Sequence, residues 1–104
     1  MNTLLSGKKV LITGASRGIG KAIAHLFAQQ GAEIFLNGRD ETALAQLKDE
    51  LVATYSATVH LAIFDVADVE SVKQGFRTLF AITKSLDVLV NNAGILDDAL
   101  IGMV

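Results

Sequence analysis

The sequence predicts an α/β fold, a parallel sheet whose strands alternate with helices. Short apolar runs and segments of helical period succeed one another in the order β-α-β-α-β-α-β. The first, second and fourth runs are apolar on both faces, as strands covered on both sides must be. A glycine-rich turn joins the first run to the first helical segment, and alternation of this kind makes a parallel sheet through right-handed crossovers.

The elements follow in order. Residues 10–13 (Val-Leu-Ile-Thr) read as the first strand. Ile19, Ala22, Ile23, Leu26 and Phe27 form one face of the first helix, and Gly31 closes it in the C′ position. Residues 34–37 make the second strand. Asp40 then stands where an N-cap belongs, ahead of a helix with Leu44, Leu47 and Leu51 on one face. The third strand, residues 59–64, is less regular because His60 sits among apolar neighbours. Asp68 caps the third helix, whose face is Val72, Phe76, Leu79 and Phe80, and residues 86–90 make the fourth strand.

Composition narrows the function. A chain of 104 residues has room for one domain, and 51% hydrophobic residues with positive mean hydropathy exclude a disordered chain. The net charge is −2 with no basic block, which argues against nucleic acid or an anionic membrane as the main partner. The absence of cysteine excludes disulfides and thiolate metal sites. The first nine residues lack a signal-peptide core, and no apolar stretch has the length of a membrane span. The expectation is a cytoplasmic protein.

The turn Thr13-Gly14-Ala15-Ser16-Arg17-Gly18-Ile19-Gly20 carries the chemistry. To hold a diphosphate, a strand must stop abruptly and the next helix must aim its free N–H groups at the anion. A side chain at Gly14 would obstruct the turn, one at Gly18 would hold the diphosphate away, and Gly20 lets the helix approach closely. A glycine trio alone is weak evidence; this one follows a strand, opens a helix and lies in a βαβ unit. A P-loop is excluded, because five residues separate Gly14 from Gly20 and Lys21 is followed by Ala22. The fourth strand ends in a second distinctive run, Asn91-Asn92-Ala93-Gly94.

Thr-Gly-x-x-x-Gly-x-Gly with Asn-Asn-Ala-Gly resembles the short-chain dehydrogenase/reductase family, over essentially the whole chain from Gly7 to Val104. The continuation from Gly94 looks most like the bacterial 3-oxoacyl-acyl-carrier-protein reductases. The resemblance implies a Rossmann-like doubly wound parallel sheet with its first four strands present. Residues 1–104 are then expected to be the N-terminal part of one dinucleotide-binding domain, ending before the catalytic segment. It also implies a coenzyme. Gly14, Ser16, Arg17, Gly18, Ile19 and Gly20 would cradle its diphosphate. Members that prefer NAD place a carboxylate at the end of the second strand, where this chain reads Asn37-Gly38-Arg39-Asp40. Arg39 would instead pair with a 2′-phosphate, with Arg17 as a second positive charge, so NADP(H) is expected to be preferred over NAD(H). Asp40 is read as a cap, not a ribose ligand.

By the same resemblance Asp65 and Val66 would hold adenine. Asn91 would tie neighbouring strands, Asn92 and Ala93 would face the coenzyme ribose, and Gly94 would belong to the same coenzyme site. The family's catalytic Asn, Ser, Tyr and Lys all follow the Asn-Asn-Ala-Gly run. The only tyrosine here, Tyr55, has Val59 four residues on, not Lys. No catalytic residue is therefore assigned and the chain alone is expected to be inactive. His25 and His60 read as structural, not as metal ligands.

The implied function is hydride transfer between nicotinamide and a carbonyl or alcohol, with a 3-oxoacyl thioester as candidate substrate. A second reading is a non-catalytic dinucleotide-binding module or folding fragment. A third, a flavodoxin-like or receiver domain, sits badly with the glycine turn and Asn-Asn-Ala-Gly. An apolar fourth strand at a sheet edge leads to an expectation of self-association.

Overall fold

The computed structural model describes residues 4–16 and 18–92. The strands are β1 (Lys9–Ile12), β2 (Glu33–Gly38), β3 (Val59–Ile63) and β4 (Val88–Val90). The helices are α1 (Gly18–Gln29), α2 (Glu41–Tyr55) and α3 (Val69–Ile82). All strand pairings are parallel and the sheet order is β3-β2-β1-β4. The chain steps outward from β1 to β2 to β3, then crosses back over to β4. Crossovers of one hand put the helices of outward and returning steps on opposite faces. Accordingly α1 and α2 pack on Val10, Ile12, Ile34 and Leu36, while α3 packs on Leu11, Phe35, Ala62 and Phe64. This is the doubly wound Rossmann-like sheet. Alternate residues of β1 and β2 serve the two cores, which is why Val10 to Ile12 and Ile34 to Leu36 are unbroken apolar runs.

The helix ends follow from side-chain chemistry. Asp40 accepts from the Ala43 N–H at 3.1 Å, and Asp68 from the N–H groups of Glu70 and Ser71, each relieving orphan donors of a first turn. α1 ends in a Schellman motif: Gly31 has φ +89°, its N–H donates to Ala28 O, and Ala32 N–H donates to Phe27 O. α2 ends on Ser56 at φ +56°, a left-handed position taken without glycine.

Leu44, Leu47 and Leu51 are buried, as are Val72, Phe76 and Leu79. Two parts of the predicted faces are corrected. In α1 the buried stripe is Gly20, Ala24 and Ala28, flanked by half-buried Ile23 and Phe27. Ile19 is 72% exposed, Leu26 54%, and Ala22 is also exposed. Small residues let the helix lie close to the sheet, so contact and not side-chain size decides which face is inward. In α3, Phe80 is half out of the core and stacks on Phe76, with ring centroids 5.8 Å apart. β4 is also shorter than residues 86–90, since only Val10 to Ile12 offer it partners. The irregularity of β3 is explained: His60 stacks on Phe35 at 4.7 Å and reaches Glu33 at 2.8 Å.

Candidate functional site

The reversal of strand order between β1 and β4 opens a crevice beyond their carboxyl ends, the place where open α/β sheets bind ligands. The glycine turn lies in this crevice. Gly14 has φ +60° and Gly18 φ +62°, so both turn where a side chain is disfavoured. A Cβ on Gly18 would meet no atom within 4 Å, so that face of the turn is open. At Gly20 the reverse holds: a Cβ would lie 2.3 Å from Gly14 O and 2.8 Å from Asn92 Nδ2. The close approach that Gly20 permits is thus to the turn's own carbonyl. The Ala15 N–H donates to Asn37 O at 2.9 Å, which anchors the turn to the end of β2. α1 carries no acidic residue in its first turn, and the residue before it, Arg17, has no side-chain acceptor to offer. Its amides and the positive end of its dipole therefore suit an anion. Ser16 is half-buried beside them and Ile19 projects outward. Arg17 itself lies outside the described residues.

The ends of β2 and β3 bring the next residues together. Arg39 is 79% exposed, and its Nη1 lies 3.9 Å from Asp65 Oδ2. A pair this long and this exposed adds little stability, so the guanidinium stays available. The other carboxylate oxygen, Asp65 Oδ1, accepts from the Ala67 N–H at 2.9 Å. Val66 is half-buried against the α3-side core.

The end of β4 closes the crevice. The Thr13 N–H donates to Val90 O at 3.0 Å, and Thr13 Oγ1 lies 3.4 Å from Asn91 Oδ1, which joins β1 to β4 as expected of Asn91. Asn92 Nδ2 donates to Gly14 O at 3.1 Å. One donor of its amide is thus engaged by the turn. Ala93 and Gly94 lie outside the described residues.

A family model described as short chain dehydrogenase matches residues 8–102. The chain belongs to the short-chain dehydrogenase family. It is 40% identical, over 95% of its length, to an uncharacterized oxidoreductase of Bacillus subtilis, YvaG, and covers 36% of that protein. To the 3-oxoacyl-[acyl-carrier-protein] reductase FabG of Chlamydia muridarum it is 39% identical over 97% of its length, covering 41% of that enzyme. It superposes with TM-score 0.82 and 37% identity on L-sorbose reductase of Gluconobacter frateurii, a structure complexed with NADPH and L-sorbose. The match spans 88% of this chain and 35% of that one. The chain spans less than half the length of these relatives.

Within this short-chain dehydrogenase chain the structure adds residues that the motifs did not name. Asn37 is 2% exposed and donates to Ala62 O and Phe64 O, both at 3.0 Å. Ser71 Oγ accepts from the Asp65 N–H at 2.8 Å. A polar residue closing an otherwise apolar strand was the available signal for Asn37. Tyr55, at the last position of α2, sits 3.0 Å from His25 Nδ1, and His25 Nε2 also meets Glu50. Both histidines therefore have a glutamate partner, Glu50 for His25 and Glu33 for His60. Among the described residues no cluster of three or more His, Cys, Asp or Glu could hold a metal, and no helix is long and apolar enough to cross a membrane. Two hollows lie away from the crevice: about 230 Å³ between β3 and α3, and about 280 Å³ beside Gly31 and Tyr55. Neither is lined by a candidate residue.

Proposed function

We propose that this chain is the NADP(H)-binding portion of a short-chain oxidoreductase that moves hydride between nicotinamide and a carbonyl or alcohol, with a 3-oxoacyl thioester as the leading substrate class and NAD(H) as a second coenzyme. The observation that carries this reading is the glycine turn at the strand-order reversal, with open space over Gly18 and a helix behind it that has no acidic residue in its first turn. That cradle fits a diphosphate. Gly14, Ser16, Arg17, Gly18, Ile19 and Gly20 would surround it. Asp65 and Val66 would take adenine, Asn92 and Ala93 the ribose, and Gly94 would belong to the same site. The bound nicotinamide would supply or accept the hydride.

Preference for the phosphorylated coenzyme rests on Arg39. β2 ends in Asn37-Gly38 with no carboxylate, and the Arg39 guanidinium stands exposed beside it. A charged hydrogen bond is worth about 1.5–3 kcal/mol, so Arg39→Ala is expected to weaken NADPH by roughly tenfold or more. NADH should change little. Side-by-side calorimetric titration checks this, and equal losses for both coenzymes would remove Arg39 from the 2′-phosphate.

Proton transfer to substrate is left to other residues, because the one tyrosine is hydrogen-bonded to His25 at the C-terminal end of α2. This reading places the protein in the cytoplasm. It also includes self-association through β4, at the edge of the described sheet, where Leu89 is 37% exposed. Light scattering reads that directly: a monodisperse monomer contradicts it.

A further inference from the structure

We propose that Asn37 and Ser71 are positioning residues for the adenine end of the coenzyme: they hold residues 64–66 in place without touching the ligand. The proposal rests on the dinucleotide reading above and deepens it.

Asn37 follows Ile34, Phe35 and Leu36 in β2, all three fully buried. Burying an amide costs free energy unless it is hydrogen-bonded, and leucine, with the same branched heavy-atom skeleton, would avoid that cost. What the amide adds is its pair of bonds to Ala62 O and Phe64 O. The second of these matters most. The β2–β3 register ends at Gly38 opposite Ile63, so Phe64 lies one residue past the ladder. The Asn37 side chain extends the connection beyond the point where the backbone of β2 turns away.

Ser71 acts from the other side. It stands in the first turn of α3, and its hydroxyl accepts from the Asp65 N–H at 2.8 Å. The Asp65 carboxylate is then fixed through Oδ1 by the Ala67 N–H, which leaves Oδ2 on the side of Arg39. Three successive groups are thereby held: the carbonyl of Phe64, the amide of Asp65 and its carboxylate. The acceptor that would meet the adenine amine is oriented before ligand arrives, and preorganisation of this kind raises affinity by removing an ordering cost. The backbone carbonyl of Asn37 meanwhile accepts from Ala15 in the glycine turn. Replacing the side chain leaves that bond in place, so the two ends of the site can be perturbed separately.

The test uses Asn37→Leu, Ser71→Ala, Ser71→Thr and Asp65→Ala in this chain. NADPH, NADH and adenosine 2′,5′-bisphosphate are titrated by calorimetry, and circular dichroism confirms the folded state. Asn37→Leu is expected to weaken all three ligands by about tenfold and Ser71→Ala by about threefold, on the scale of one or two hydrogen bonds. The NADPH-to-NADH ratio should stay constant, unlike that of Arg39→Ala. Ser71→Thr, which keeps the hydroxyl, should restore binding. In the Asp65→Ala background both substitutions should weaken binding less than they do in the parent, because only the contribution of Val66 is left to position. If Asn37→Leu does not fold, the Ser71 pair with Asp65→Ala decides the matter. Variants that lose stability but bind as the parent does, or losses that simply add to that of Asp65→Ala, overturn the positioning role and leave the coenzyme reading intact. A parent chain that binds none of the three ligands overturns both.

Discussion

Replacing Gly20 with alanine is expected to lower NADPH affinity by about 10- to 100-fold while leaving the secondary structure intact. The added Cβ would stand 2.3 Å from Gly14 O and 2.8 Å from Asn92 Nδ2. The first neighbour is backbone, so it cannot swing aside as the tip of a long side chain can. Either α1 moves outward or the turn around Gly14 does, and the bond from Asn92 to Gly14 O is lost in both cases. Overpacking of this kind costs about 1–3 kcal/mol. Alanine is also the better helix former by about 1 kcal/mol, so part of the stability cost is offset even though the cradle is deformed. Binding should therefore suffer more than folding. NADPH titration beside a thermal melt separates the two effects. Gly18→Ala probes the open face of the turn: its Cβ meets no protein atom within 4 Å, so besides the strain of φ +62° it acts by occupying the space the diphosphate would take. Undiminished NADPH affinity in the Gly20 variant would mean that the turn is not where the diphosphate sits.

Gly75→Ala is expected to destabilise the chain in spite of improving helix propensity. Gly75 is where α3 lies against the end of β3, and a Cβ there would come within 2.2 Å of Phe64 Cδ2 and 2.9 Å of Phe64 Cβ. The Phe64 ring is 4% exposed and packs against Phe76 at 5.7 Å, so it has little room to turn. An overpacking cost of about 1–3 kcal/mol exceeds the gain of about 1 kcal/mol from alanine. A loss of about 1 kcal/mol in a domain of this size lowers Tm by roughly 4–8 °C. Phe64 also precedes Asp65, so coenzyme affinity should fall with stability. A melt followed by circular dichroism checks the first effect, and a Tm equal to or above the parent's would show that α3 does not lie against Phe64.

Much of this architecture was legible because its causes are local. Asp40, Asp68 and Gly31 announce helix ends through chemistry that reaches only three or four residues. Leu44, Leu47 and Leu51 repeat with the helical period and meet the sheet on that face alone. The glycine turn and the Asn-Asn pair were visible by type and spacing. Burial in α1 was not, because the close approach at Gly20, Ala24 and Ala28 depends on a partner surface that the helix sequence does not describe. Asn37 and Ser71 escaped for a related reason. Their partners are main-chain groups, on β3 for Asn37 and at Asp65 for Ser71, and a main-chain acceptor or donor leaves no mark in the letters of a sequence. His60 read as an anomaly until Phe35 and Glu33 were seen on the neighbouring strand.

The pairing of β1 with β4 has a consequence for biosynthesis. Lys9 and Asp87 exchange hydrogen bonds at 2.8 Å across a separation of 78 residues. At about 5–20 residues per second, a ribosome needs roughly 4–16 s to deliver the second partner after the first. During that interval the nascent chain can zip β1 to β2 and β2 to β3 by short steps, but the cleft has only one wall. Asn92 arrives after these strands, and with it the grip on Gly14. Dinucleotide already present in the surroundings would then select the completed form by mass action and hold the late strand in place.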